Sequence, residues 1–213
     1  MLAREVPMKE IAFKCQRCGK CCRFRGDIQI SPMDLVRYCK FFNMSPSTIL
    51  EQYAVIEKRH LEPTQVFVKD KGDKLHTCIF FEEGAGCTIN QVKPPVCYIY
   101  PFYEDFFENG MTTVQMTQCV INSMSTEKNK EKIVDLIERA SNNRYSLEKG
   151  YIIWYISVLA MFTIRLRESS APESLKQKYI ERFFNDFYLN LDISSDGYLD
   201  SKLEEWQSIT DFT

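Results

Sequence analysis

Apolar residues recur along this chain in two different rhythms. Beyond residue 122 the rhythm is helical: Ile133, Leu136, Ile137 and Ala140 fall on one face at the 3.6-residue period. Tyr151 to Ile164 is apolar nearly all round, the pattern of a helix buried on most sides. Ser170-Ala171-Pro172-Glu173 reads as a capping box opening a further helix that presents Leu175, Tyr179, Phe183 and Phe187. Aromatics at that spacing read as core before they read as a cofactor pocket. The front of the chain has shorter apolar runs broken by turn signals. Ser31-Pro32-Met33-Asp34 sets an N-cap serine, a proline at the first helical position and an acid at the third, and predicts a helix through about Phe42. Ser45-Pro46 repeats the opening, for a second helix carrying Ile49, Leu50 and Tyr53. Val66-Phe67-Val68 and Leu75 to Phe81 flank Asp70-Lys71-Gly72-Asp73 and predict a hairpin. Asn109-Gly110 predicts a second, with strands at about Tyr103 to Glu108 and Met111 to Met116. The fold class expected is α+β: short helices and β-hairpins over residues 1–122, then an α-helical region over 123–213 that packs on them.

Composition narrows this picture. A chain of 213 residues, 45% hydrophobic and 26% charged, can bury a proper core and is not expected to be disordered. A net charge of −2 carries no basic footprint, so neither nucleic acid nor an anionic membrane is expected as a partner. Met1 to Phe13 holds Arg4, Glu5, Lys9 and Glu10 and lacks the apolar segment of a secretory signal. The longest uncharged run, Tyr151 to Ile164, is shorter than the roughly 20 residues of a membrane helix. A cytoplasmic chain is the expectation.

In that compartment nine cysteines change the picture most, because reducing conditions turn such a density from disulfides toward metal binding or redox chemistry. All nine lie at or before Cys119, and this shift marks the candidate boundary near Asn122 to Thr126. The stretch CQRCGKCC spaces Cys15, Cys18 and Cys21 three residues apart and adds Cys22 at once. Three thiolates so spaced can curl around a common centre, as in four-thiolate zinc sites and in bacterial ferredoxin runs. Gly19 suits the tight turn this needs, having no Cβ to clash. In extended backbone Cys21 and Cys22 point to opposite faces, which argues against one ion holding both. Further thiols come from Cys78, Cys87, Cys97 and Cys119, on or beside predicted turns. Cys39, within the first predicted helix, reads as a small buried hydrophobe and is set aside. His60 and His76 are isolated, and a surface or core role outweighs a ligand role for His76.

CQRCGKCC, then TCIFF, GCTIN and KPPVCYIYPF, resembles the zinc- or iron-chelating family named for its C-x-x-C-x-x-C-C motif, the YkgJ-like cysteine-cluster proteins. That family runs C-x-x-C-G-x-C-C, a Thr/Ser-Pro-x-Glu helix start, C-P-F-L, G-x-C-x-I-Y and R-P-x-x-C-R-x-F/Y-P-F, often with a later cysteine. Here Ser31-Pro32-Met33-Asp34, Cys78-Ile79-Phe80-Phe81, Gly86-Cys87-Thr88-Ile89, Pro94-Pro95-Val96-Cys97 and Pro101-Phe102 follow in the same order, with Cys119 in the late position. Lys93, Asn90 and Tyr98 replace the usual arginine, tyrosine and arginine, and Val120-Ile121 replaces small residues. Every thiol is spared. The match spans about residues 13 to 121 and leaves the helical tail outside it. The resemblance implies a metal site drawing on Cys15, Cys18, Cys21, Cys22, Cys78, Cys87, Cys97 and Cys119.

Four readings compete. A cysteine-ligated iron–sulfur cluster or zinc ion comes first, and the three-cysteine cradle without a histidine ligand leans toward the cluster. The cysteine cluster also occurs in flagellin lysine-N-methylase, so the resemblance brings an S-adenosylmethionine-dependent protein-lysine methylase, with a protein substrate, as an alternative. The scattered glycines form no G-x-G-x-x-G turn in its support. A third reading is a zinc-stapled module whose task is a protein contact. Thiol–disulfide exchange is the fourth; no βαβ pattern accompanies the cysteines.

Overall fold

The computed structural model describes residues 19–23, 26–98, 100, 102–105, 113–116, 145–210 and 212. A 3-10 turn at Lys20–Cys22 precedes helices α1 (Pro32–Phe42) and α2 (Pro46–Tyr53). Strands β1 (Ala54–Glu57), β2 (Gln65–Val68), β3 (Phe81–Glu82) and β4 (Gly86–Cys87) follow. The one-turn helix α3 (Pro95–Tyr98) leads to β5 (Phe102–Asp105) and β6 (Thr113–Met116). The described chain ends in α4 (Tyr145–Glu168), α5 (Glu173–Phe184) with a π turn at Asn185–Leu189, and α6 (Tyr198–Ser208). Short helices, small antiparallel strand pairs and a helical C-terminal region make this an α+β fold. The chain forms two compact units, one from Met1–Phe24 and Phe80–Glu148, the other from Arg25–Ile79 and Lys149–Thr213.

In the second unit, cap chemistry sets the helices as the sequence predicts. The Ser31 hydroxyl oxygen accepts from the Asp34 amide at 3.2 Å, and the Asp34 carboxylate accepts from the Ser31 amide at 2.8 Å. That reciprocal pair satisfies donors the first turn would otherwise orphan. Asp34 is 1% exposed, and Arg37 pairs with it one turn on. Ser45 caps α2 by accepting from the Thr48 amide, and α2 buries Ile49 and Leu50.

Strand pairing departs from expectation. Val66–Val68 pairs with β1 (Ala54↔Val68 to Glu57↔Gln65), not with Leu75–Phe81. β1 leaves α2 directly, with no turn residue to announce it, and its β-branched Val55-Ile56 suits a pleated strand. The reversal around Asp70–Asp73 survives as a single bridge, Asp70↔Cys78, with the Ile79 amide donating to the Lys69 carbonyl at 3.0 Å.

α4 buries one face, Tyr155, Val158, Phe162 and Leu166, while Ile153 and Ile164 are exposed. Its apolar surround is therefore not burial on most sides. Glu148–Glu168 is long and apolar enough by length and composition to cross a membrane, with a mean hydropathy of 1.2, because the helix extends past the uncharged run into charged flanks. α5 begins at Glu173 with Pro172 as N-cap and no side-chain cap bond. Ser170 is too early to cap it, since Pro172 is still extended (ψ 144°). The aromatic stripe is core, as expected: Phe183 stacks on Phe162 at 4.8 Å and meets Phe187 and Trp206 at 4.6 and 4.9 Å.

In the first unit β3 pairs with β4, and β5 with β6 (Phe102↔Met116 to Asp105↔Thr113). The predicted Asn109-Gly110 turn and the Ile133 to Ala140 face lie outside the described residues.

Candidate metal centre

The thiol turn starts at Gly19, whose φ of +71° is a left-handed conformation that glycine adopts without a Cβ penalty. The Cys22 amide donates to the Gly19 carbonyl at 2.9 Å and closes the Lys20–Cys22 turn. Helical winding replaces the extended backbone assumed from sequence, and with three residues per turn adjacent side chains diverge by about 120°, not 180°. Cys21 and Cys22 therefore do not point to opposite faces: their sulfurs lie 3.9 Å apart. Two thiolates on one tetrahedral ion at about 2.3 Å stand about 3.8 Å apart. The pair already has the spacing of two ligands on one ion.

Cys87 comes from the hairpin facing this turn. Phe81 is the partner of Cys87, and Glu82 of Gly86, whose φ of +86° carries the chain out of the tight loop. The Thr88 amide and hydroxyl both donate to the Phe80 carbonyl, at 2.8 and 3.0 Å, and tie off the open end. Beyond it the Pro94 carbonyl accepts from the Cys97 and Tyr98 amides, which starts α3 and places Cys97 on it. Tyr98 is 1% exposed and donates to Glu148 at 3.3 Å, anchoring that turn.

What docks the thiol turn on the hairpin is Phe81. A Cβ built on Gly19 would stand 2.3 and 2.6 Å from two ring carbons of Phe81, so the ring occupies the space glycine leaves. The Arg23 guanidinium lies 5.2 Å from the centre of the same ring and donates to both carboxylate oxygens of Glu83, at 3.0 and 2.9 Å. Between turn and hairpin lies a pocket of about 190 Å³, lined by Cys21, Cys22, Cys87, Gly19, Phe81, Ala85, Gly86 and Asn90. Burial pushes the Cys87 thiol up; the Ile89 amide and the nearby Lys93 charge pull against that, and Cys21 pushes it further up.

Cys78 lies in the Arg25–Ile79 segment, buried, opposite Asp70 in the turn. His76 follows the surface reading, its ring 2.7 Å from the Asp70 carboxylate and largely exposed. That bond holds the Asp70 carboxyl below its usual range. Cys15, Cys18 and Cys119 lie outside the described residues. Among the described residues no three His, Cys, Asp or Glu side chains form a complete ligand group, so any metal site here needs donors beyond them. The sequence did not single out Phe81, Arg23 and Glu83, because their roles arise only when turn and hairpin meet.

A family model described as CxxCxxCC, "Putative zinc- or iron-chelating domain", matches residues 14–120. No curated protein and no solved structure matches the chain.

Proposed function

Because the chain belongs to the CxxCxxCC zinc- or iron-chelating domain family, we propose that its centre is a single tetrahedral ion held by thiolates, with Cys21 and Cys22 on the same ion and Cys87 lining the same pocket. The observation that carries this reading is the 3.9 Å separation of the adjacent sulfurs. It matches one ion bearing both thiolates and favours that arrangement over a four-iron cluster, where four cysteines serve four irons. The remaining donors come from the family's cysteines beyond the described residues, Cys15, Cys18 or Cys119.

When bound, zinc or iron supplies a thiophilic Lewis-acid centre. The chain's own residues do the rest. The Gly19–Cys22 turn orients two sulfurs into one pocket, and the Phe81 ring walls one side from water. Burial pushes the Cys87 thiol up, and the positive charge of Lys93 offsets part of that.

Anaerobic purification followed by elemental analysis and visible absorption tests the reading. About one zinc or iron per chain is expected, falling in Cys21→Ser and Cys22→Ser alike. Acid-labile sulfide together with about four irons per chain would replace the single ion by a cluster. Folded protein that holds no metal would end the metal reading altogether.

A further inference from the structure

We propose that Phe81 is the positioning residue of the thiolate pocket: its ring, seated in the Cβ space of Gly19, sets the Cys21–Cys22 turn in register with Cys87. The inference rests on the metal-thiolate reading but concerns residues that hold no metal themselves. Three observations converge on the ring. It is 5% exposed in a hairpin whose cross-strand partner is Cys87. Its nearest atoms, Cζ and Cε2, would lie 2.3 and 2.6 Å from a Cβ at Gly19, below any real contact distance. The ring also meets the Arg23 guanidinium, from the residue that follows Cys22, so it is gripped on both sides of the thiol pair. One side chain thus couples the strand carrying Cys87 to the turn carrying the other two sulfurs.

This coupling has a particular consequence. Adding one methyl at Gly19 must push the ring away and carry the turn off the hairpin, whereas shortening the ring at the same time removes the collision. Leucine at position 81 lacks all three ring atoms nearest Gly19, Cζ, Cε2 and Cε1. Some loss should persist, because alanine at φ +71° is disfavoured whatever the space.

The test compares full-length wild type, Gly19→Ala, Phe81→Leu and the double variant. Circular dichroism melts establish that each is folded. Co(II) affinity and the cobalt absorption spectrum are one readout. The other is metal-free: a short bis-alkylating dihalide that joins two thiols with loss of two halide ions, with mass spectrometry for a Cys87 bridge to Cys21 or Cys22. Gly19→Ala is expected to lose about a hundredfold or more in Co(II) affinity and to lose the cross-link. Phe81→Leu loses the ring atoms that fill the Gly19 space, so it is expected to lose about tenfold in Co(II) affinity and part of the cross-link. In the Gly19→Ala/Phe81→Leu chain the methyl no longer meets the ring, so cross-link and affinity should recover to about the Phe81→Leu level, less the left-handed strain of alanine. Wild-type behaviour in either single variant overturns the proposal. So does a double variant as impaired as Gly19→Ala, which would assign the whole loss to backbone strain. If wild type takes up no Co(II), the metal reading fails, and the cross-linking pattern still decides the role of Phe81.

Discussion

Burial pushes the Cys39 thiol up from 9.0 to about 11. At 1% exposure in α1 it is sealed among apolar neighbours, which makes it a packing group and a poor nucleophile. Raised in the folded state, this acid keeps its proton while the unfolded chain loses it above pH 9. The stability it contributes is therefore complete below pH 9 and lost as pH rises through about 11. Urea unfolding at stepped pH should show wild type losing on the order of 2–3 kcal/mol more than Cys39→Ala over that interval. At neutral pH Cys39→Ala should cost about 1 kcal/mol of packing and leave the metal content unchanged. Loss of metal in that variant would move Cys39 from core to ligand. The same residue scale explains what could be read of the site in advance. Thiol identity and the need for glycine at position 19 are local properties, legible in CQRCGKCC. The common side shared by Cys21 and Cys22 was not, because it depends on a 3-10 turn instead of extended backbone.

At the scale of elements, two serines that look alike in sequence separate cleanly. Ser31 closes a reciprocal cap with the buried Asp34, so Ser31→Ala should lower unfolding free energy by about 1 kcal/mol, read from chemical denaturation. Ser170 makes no cap, since α5 starts at Glu173, and Ser170→Ala should stay within about 0.5 kcal/mol of wild type. An equal loss at both would mean that the α5 start is misplaced. Helices opened by Ser-Pro were legible because caps act within four residues. Strand partners were not: β2 is flanked by Asp70-Lys71-Gly72-Asp73, an apt turn signal, yet its ladder forms with β1 across residues 58–64. Local turn chemistry proposes a reversal, whereas pairing is decided by which neighbour buries Val66 and Val68, at 0% and 4% exposure. For α4, period alone showed apolar residues all round, but only packing reveals that Tyr155, Val158, Phe162 and Leu166 face inward.

At the scale of the whole molecule, the chain does not build its compact units in sequence order. Residues 25–79 and 149–213 share one unit, although cysteine content changes only after Cys119 and nothing in composition announces the return. The hydrogen bond that closes this unit spans 158 residues: the Tyr188 hydroxyl donates to the Ile30 carbonyl at 2.9 Å. The Tyr155 hydroxyl, 3.1 Å away, then donates to Tyr188, making a buried relay from α4 through the π turn to the segment beside β2. Tyr188 is 1% exposed, so no water replaces it readily. Tyr188→Phe strips the Ile30 carbonyl of this donor and leaves the Tyr155 hydroxyl without its acceptor, which should cost about 2 kcal/mol or more. Tyr155→Phe removes only a donor, leaves the Tyr188–Ile30 bond in place, and should cost about 1 kcal/mol. Once Tyr188 is phenylalanine, the orphaned Tyr155 hydroxyl becomes a liability, so adding Tyr155→Phe should recover part of the loss. Urea unfolding of the two single variants and the double gives the coupling directly. Simple additivity would show that the hydroxyls act separately and that the long-range closure rests on apolar packing alone.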